Sequence, residues 1–273
     1  MRPGRLLVVA LMLAGASACR IVRPLDADPD VVALGVLLVA GEDEARLLAV
    51  HPHREPGEDA PDITAELAGP GWSVFFDDPQ LEGCATAEEL AGPARCLRAA
   101  LPDTVRADAR YVLRGTAPLG QFGGRIVVPP PPRLIWPPDT LRAPFPDDSG
   151  AVGLAVRHHV HVDVGTLLVE VLDVFETLED GTEAEIPAAL LGSFPKTIEL
   201  RAENVIGILH RSKPLRFSLR LHGVGWGYTR FARHMGRKDP LVRPWPNFGV
   251  AGEGVFGYFD GVAVSRAAHI FLK

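Results

Sequence analysis

Short apolar runs, each broken by glycine or proline, recur through this sequence and restrict the chain to a fold built from strands. The runs VVALGVLLVA and ARLLAVH flank the charged turn Gly41–Glu44, and ITAELA and WSVFF flank GPG. A third pair, ARYVLRGTA and GRIVV, lies around PLGQFGG. Paired runs of this kind predict antiparallel hairpins. Because long helical patterns do not alternate with these runs, the sequence predicts an all-β fold and disfavours a parallel α/β sheet.

The spacing of these signals predicts two β-rich domains joined by a linker. Residues 31–128 have the size of an immunoglobulin-like β-sandwich, although the Cys…Trp…Cys pattern of antibody domains is absent. Residues 129–150 contain PPPPRLIWPPDTLRAPFPDD. Since proline removes backbone donors, this segment is predicted to be a proline-rich linker and not a central strand. Residues 151–273 are predicted to form a second antiparallel β region with a few short helices.

Two runs of the second domain carry polar residues inside apolar strands. TLLVEVLDVFETL is long and largely apolar, and Glu170 and Asp173 interrupt it. In LRFSLRLHG the alternation places Arg216, Ser218 and Arg220 on one face of a strand and the apolar residues on the other.

The start of the chain has the layout of an export signal. Arg2 and Arg5 precede the apolar run Leu6–Ala14, and the small residues GASA lead to Cys19. The run has nine residues, far short of the roughly 20 that cross a bilayer as a helix. We therefore predict a signal peptide over residues 1–18.

Cys19 is the predicted lipidation site. The segment before it resembles a bacterial lipobox, in which the cysteine becomes acylated and then stands first in the mature chain. Ordinary cleavage after the A-x-A site formed by Ala16 and Ala18 is the alternative, because the lipobox leucine is missing three residues before the cysteine. Residues 19–30 would then form a tether between membrane and domain.

The cysteine count agrees with export. Three cysteines are present, and lipidation of Cys19 leaves Cys84 and Cys96, twelve positions apart. An oxidising compartment permits these two to form a disulfide, and two buried thiols are the alternative. A zinc site is not expected, because there is no CxxC and no histidine close to either cysteine.

The charge of the chain excludes one class of partner. The formal net charge is −6, and removal of residues 1–18 takes away two arginines and leaves −8. A chain this acidic has no basic footprint for nucleic acid, so we expect no nucleic-acid partner.

The histidines His158, His159 and His161 form the one cluster that suggests a metal. On a strand His159 and His161 would share a face, but two histidines do not fill a tetrahedral site and no third ligand follows from the spacing. We therefore assign no metal, no cofactor and no catalytic residue, and keep a metal-dependent hydrolase at His158–His161 as an alternative.

The glycine-rich segment GVAGEG (249–254) neither opens a helix nor precedes Lys-Ser/Thr. It therefore predicts backbone crowding or a turn, not a phosphate site.

Aromatic residues crowd the last fifty positions of the sequence. Most are expected to form a core, while some could line a ligand-binding groove, because such grooves favour aromatics with a few polar groups. The candidate ligand-binding residues are Trp226, Tyr228, Trp245 and Phe248. Arg230, Arg233 and Arg237 lie nearby and could face an anionic partner.

The stretch PWPNFGVAGEGVFGYF (244–259) is similar to the ending of a family of bacterial lipoproteins of unknown function. That family shows an asparagine, a glycine-rich step and Gly-x-Phe-Gly before a final strand. The matching residues are Asn247, Gly252, Gly254, Phe256 and Gly257. Because such lipoproteins often accompany TonB-dependent receptors, the resemblance implies an accessory role in nutrient uptake at the outer membrane, with an unknown small ligand. It supplies no catalytic residues.

These observations predict an exported, lipid-anchored envelope protein with a non-catalytic binding or accessory role. Its location would be the outer membrane, the periplasm or the cell exterior. Two alternatives stay open at this stage: a secreted metal-dependent hydrolase, and an adhesive or structural envelope module. Convergence of His159, His161 and a carboxylate would favour the hydrolase, and a groove lined by Trp226 and Trp245 would favour binding.

Overall fold

The structure is a computed structural model that describes residues 28–55, 57–79, 92–143, 153–177, 180–186, 189–193, 197–201, 215–235 and 247–272. The predicted signal peptide, Cys19, Cys84 and Trp245 lie outside these residues. The predicted lipidation and disulfide therefore stay predictions.

Strands make up most of the described residues, which confirms the prediction of a mainly β fold at that level. One α-helix, α1 (Trp226–Met235), is described. The chain divides into two compact units. Unit 1 takes its residues from 1–129 and 225–262, and unit 2 from 130–224 and 263–273. Residues 225–262, which were predicted to belong to the second domain, therefore group with the first.

Unit 1 is a nearly closed mixed sheet. Its strands are β1 (Val32–Val39), β2 (Glu44–Val50), β3 (Thr64–Gly69), β4 (Trp72–Phe75), β5 (Asp78–Pro79), β6 (Ala94–Ala100), β7 (Arg110–Ala117) and β8 (Gly120–Val127), with β17 (Asn247–Phe248), β18 (Val250–Gly252) and β19 (Val255–Val264) from later in the chain.

The hydrogen-bonded order of unit 1 runs β6–β2–β1–β19–β18–β8–β7–β3–β4. The segment that follows β4 then connects the β3–β4 edge of this sheet to β6 at its other edge. Phe76 donates its N–H to Ala65 on β3, and Asp77 donates to Arg98 on β6, before β5 pairs with β6. The sheet thus nearly closes on itself around a shared apolar core.

Strand β1 explains why residues from both ends of the sequence meet in unit 1. It is buried along its whole length and lies between β2, which is antiparallel, and β19, which is parallel. A strand buried on both faces is expected to be continuously apolar, as VALGVLLV is. Residues 31–128 therefore do not complete their own sheet, because β19 supplies the second neighbour of β1.

Unit 2 is built from antiparallel pairs of strands and one parallel pair, Thr140–Ala143 with Ala268–Leu272. Its strands are β9 (Arg133–Trp136), β10 (Thr140–Ala143), β11 (Gly153–His159), β12 (Val164–Thr177), β13 (Glu183–Ile186), β14 (Ala189–Ser193), β15 (Thr197–Arg201), β16 (Leu215–Gly225) and β20 (Ala268–Leu272). Strands β15, β11 and β9 form a three-stranded sheet. In the other ladder β20 lies between β16 and the parallel β10, while β12 pairs with β13 and β14.

The segment predicted as a linker contributes two short strands to unit 2. Strand β9 pairs with β11, and β10 pairs with β20. The prolines at 132, 137 and 138 lie just outside the paired residues, so each short ladder keeps its backbone donors. Residues 144–150 of the predicted linker lie outside the described part of the chain.

Strand β12 changes partner between Val171 and Val174. Residues Leu167–Val171 pair with β14, and Val174–Thr177 pair with β13. Between them Asp173 has a φ of 50°, a left-handed conformation that aspartate tolerates better than most residues. The alternation shifts there by one residue, which keeps both Val171 and Val174 in the core of unit 2.

Candidate functional site

Helix α1 of unit 1 carries Trp226, the one predicted binding residue within the described part of the chain that has a large exposed surface. It begins directly after Gly225, and its sequence WGYTRFARHM places apolar and polar residues at helical spacing. Tyr228 and Phe231 are buried, whereas Trp226, Arg230 and Arg233 are exposed. The helix therefore has one side fixed in unit 1 and one side in solvent.

The buried side of α1 is held by aromatic contacts. The Tyr228 ring meets the Tyr258 ring edge-on with centroids 5.0 Å apart, and the Phe231 ring lies 4.9 Å from the same tyrosine. Phe231 also meets Phe248 at 6.5 Å. Burial raises the pKa of Tyr228 to about 12, so its phenol stays neutral.

The N-terminal end of α1 is capped by a carboxylate from β19. Asp260 is buried; its Oδ2 accepts the N–H of Tyr228 at 2.7 Å and its Oδ1 accepts that of Gly261 at 2.8 Å. The N–H of Gly227 also donates to this carboxylate. A Cβ at Gly225 would overlap Oδ1, so glycine is required there. Burial raises the pKa of Asp260 to about 6, although the three N–H donors act to lower it.

The exposed side of α1 combines an indole with two positive charges. Trp226 is 41% exposed, and the guanidinium carbons of Arg230 and Arg233 lie 5.8 and 6.0 Å from its ring centroid. The three residues share one side of the helix because they stand at positions i, i+4 and i+7. We call them the α1 face. It is cationic in a chain whose formal net charge is −6.

The predicted ligand-binding residues therefore have different surroundings. Trp226 lies on the α1 face, Tyr228 is part of the packing beneath it, and Phe248 is half-buried against Phe231. Trp245 and Arg237 lie outside the described residues. Asp260 was not predictable as a cap, because it stands within the apolar run VFGYFDGVAV and has no local signature of one.

The glycine-rich step before β19 has the crowding and turn role expected of it. Gly254 has a φ of 64° in the turn between β18 and β19, and Gly249 has a φ of 84°. A Cβ at Gly249 would overlap the carbonyl oxygen of Phe259, and one at Gly257 would overlap that of Leu34. These glycines let β17, β18 and β1 approach β19 closely.

The histidine cluster of unit 2 is spread over a strand end and a turn. Strand β11 ends at His159, so His159 and His161 do not share one strand as expected. His158 is buried, while the exposed His161 lies 3.0 Å from the carboxylate of Asp163. Among the residues that the structure describes, no three His, Cys, Asp or Glu side chains are grouped as metal ligands.

Unit 2 instead contains a polar cluster in which the buried Glu170 and His222 meet the partly exposed Arg220. Oε2 of Glu170 accepts from Arg220 Nε at 3.0 Å, from Arg220 Nη2 at 2.7 Å and from His222 Nε2 at 2.8 Å. Burial alone would raise the pKa of Glu170, but the hydrogen bonds and charges of His222 and Arg220 outweigh it and lower that pKa. Among the described residues, the buried Nδ1 of His222 has no hydrogen-bond partner. The sequence signal was the glutamate interrupting an apolar strand.

Comparison with known proteins assigns no family to the chain. No protein-family model matches it, and no curated protein matches it. A solved structure of the archaellum periplasmic stator protein complex FlaF and FlaG from Sulfolobus acidocaldarius is similar over 38% of this chain and 96% of that chain, at 6% identity and a TM-score of 0.25. Titin Ig tandem domains A164-A165 are similar over 90% of this chain and 100% of that chain, at 8% identity and a TM-score of 0.19. Likenesses this distant carry no argument about function.

In the described part of the chain, no helix has the length and apolar character that spanning a bilayer requires.

Proposed function

We propose that this chain is an exported, lipid-anchored envelope protein that binds an acidic protein partner through the α1 face and has no catalytic role. The acidic partner would be a segment of an outer-membrane receptor of the TonB-dependent type, which the protein assists. Lipidation of Cys19 would hold the protein at the membrane, and residues 19–30 would tether it.

The observation that supports this proposal is the exposed indole of Trp226 beside Arg230 and Arg233. Tryptophan and arginine are the residues that most often contribute large shares of binding free energy at protein interfaces. Arg230 and Arg233 lie within cation–π distance of the indole, which restricts the side chains before any partner arrives. Side chains that are ordered in advance lose less entropy on binding.

The rest of unit 1 would act as a rigid base for this face. Tyr228 and Phe231 anchor the helix from below, and Asp260 fixes its first turn. An immunoglobulin-like arrangement of 31–128, completed by β19, belongs to the same proposal, and the hairpins β1–β2, β3–β4 and β7–β8 support it.

The α1 face is tested by titrating the purified protein with a fluorescein-labelled hexaglutamate peptide and following fluorescence polarisation at low salt. We expect saturable binding that the double variant Arg230→Glu/Arg233→Glu weakens by ten-fold or more. Arg125→Glu is the matched control, because Arg125 is exposed on β8 of the same unit. Equal binding by both variants, or binding to phosphatidylglycerol vesicles in place of the peptide, would contradict the proposal.

The anchor is tested separately in cells by incorporation of radiolabelled palmitate. Wild type is expected to be labelled and Cys19→Ala to be unlabelled. Equal labelling of the two would reject the lipid anchor while leaving the α1 face intact, so the two parts of the proposal can fail independently.

A further inference from the structure

One face of the β16–β20–β10 ladder in unit 2 carries a regular grid of cationic and aromatic side chains. Arg216 on β16 stands opposite Phe271 on β20, which stands opposite Arg142 on β10. Residues directly opposite each other point to the same face of a sheet. We call this set the arginine–phenylalanine row. Since neighbouring strands lie about 4.8 Å apart, the two arginine backbones flank the phenylalanine at a separation of about 10 Å.

A second row lies beside the first on the same face. Two residues along each strand, Ser218 stands opposite His269, which stands opposite Thr140. Ser218 Oγ and His269 Nδ1 are 3.0 Å apart, so the serine hydroxyl contacts one ring nitrogen of the exposed histidine. The row places hydrogen-bonding side chains two residues along from Arg216 and Arg142 on the same face.

The arginines of the first row are held in place by ring contacts. The Arg216 guanidinium carbon lies 4.1 Å from the Phe175 ring centroid, and Arg142 lies 5.6 Å from that of Phe271. Glu183 pairs with Arg216 at 2.5 Å, whereas no carboxylate of the described residues lies within ion-pair distance of Arg142. The row therefore keeps a positive excess on the surface of a chain with a formal net charge of −6.

One buried N–H of this grid, Nε of Arg216, has no hydrogen-bond partner among the described residues. The Nε/Nη2 edge of Arg220 is occupied by Glu170, which leaves its other edge for a second acceptor. A buried N–H without a partner is uncommon in folded proteins, and an anionic oxygen is the kind of acceptor that would satisfy it.

We propose that the arginine–phenylalanine row and the Ser218–His269 pair bind a small organic oxyanion, a carboxylate or a phosphate, at a site separate from the α1 face. Planar guanidinium groups bind the two oxygens of carboxylate and phosphate groups with matching geometry. Phe271, which stands opposite both arginines in the strand register, offers the apolar part of the ligand a surface.

The site is tested by isothermal titration calorimetry of the purified protein with citrate and, separately, with inorganic phosphate at low ionic strength. We expect saturable one-to-one binding of at least one titrant, which Arg142→Ala and Arg216→Ala each weaken by ten-fold or more. Saturation by citrate alone assigns a carboxylate ligand, and saturation by phosphate alone assigns a phosphate. Absence of saturable binding with both titrants overturns the proposal.

Two controls separate anion binding from structural damage and from the α1 face. Glu183→Gln breaks the same ion pair as Arg216→Ala but keeps the guanidinium group, so its affinity should equal or exceed that of wild type. Arg230→Glu/Arg233→Glu should bind the anion unchanged. If Glu183→Gln lost affinity as Arg216→Ala does, or if the α1 variant abolished binding, this site would be rejected.

Discussion

Tyr228 and Asp260 are joined by a hydrogen bond of 2.7 Å, in which the backbone N–H of the tyrosine donates to the carboxylate of the aspartate. It links the first turn of α1 to β19, so the orientation of the α1 face depends on a group from a distant part of the sequence. Helix caps are usually supplied by the residue just before the helix, where this chain has Gly225.

The pH dependence of stability should reveal Asp260. Its pKa of about 6 in the folded protein lies above the ordinary aspartate value of about 3.9, so the folded state binds the proton more tightly. The stabilisation from its protonated form is therefore fully present below about pH 4 and is lost as the pH rises through 6. Asp260→Asn does not titrate. The free energy of unfolding of wild type, measured in urea relative to this variant, should fall between pH 4 and 7.

A matched variant controls for the removal of a carboxylate. Asp62 is almost fully exposed, so Asp62→Asn removes one carboxylate from the surface of the same unit. A difference between wild type and Asp260→Asn that does not change from pH 4 to pH 7 would contradict the prediction.

The sequence predicted what depends on local patterns and missed what depends on distant pairing. Alternation and Gly/Pro turns are local, so the mainly β fold and the hairpin around Gly41 were predictable. The parallel pairing of β1 with β19 leaves no local signal, because both strands are simply apolar. The proline-rich segment was judged by its prolines, yet four residues between them are enough for a short strand.

The candidate site was predictable in the same partial way. Spacing alone could have placed Trp226, Arg230 and Arg233 on one side of a helix, but composition could not separate exposed Trp226 from buried Tyr228. Glu170 was visible as an interruption of an apolar strand, whereas its partners Arg220 and His222 become evident only when β12 and β16 are placed together.

Removal of the Glu170 carboxylate should destabilise unit 2. Glu170→Leu leaves buried His222 without its acceptor, and breaking a buried ion pair from one side typically costs about 3 kcal/mol or more. Because His222 and Arg220 lower the pKa of Glu170, its stabilisation is present above the ordinary glutamate value and is lost as the pH falls through the folded-state value. The penalty, measured by urea unfolding at pH 7, should therefore shrink in acid.

The double variant Glu170→Leu/His222→Phe should recover much of that loss, because the buried imidazole is removed together with its partner. Arg220 is partly exposed and can turn to solvent. Glu185→Leu, at an exposed position on β13, should change the free energy of unfolding by no more than about 0.5 kcal/mol. A penalty for Glu170→Leu as small as this would show that the cluster contributes little.

The predicted Cys84–Cys96 disulfide can be tested by thiol counting. Cys96 is 1% exposed on β6, so a reagent would reach it slowly in the folded protein whatever its state. Titration must therefore be made in denaturant without reductant, on protein collected from the exported fraction. We expect no thiol from Cys84 or Cys96, and a loss of about 2 to 4 kcal/mol on reduction. Two thiols that titrate without reductant would reject the bridge.

Substitution of Gly257 tests the close approach of β1 and β19. Its φ of 129° is a conformation that glycine adopts and alanine resists, and an alanine Cβ would also overlap the carbonyl oxygen of Leu34. Gly41 has a φ of 91° but nothing within 4 Å of the added Cβ, so Gly41→Ala isolates the conformational cost. We expect about 1 kcal/mol for Gly41→Ala and at least about 3 kcal/mol for Gly257→Ala in thermal unfolding. Equal losses would mean that the two strands can separate without penalty, and that β1 does not depend on β19 as its parallel neighbour.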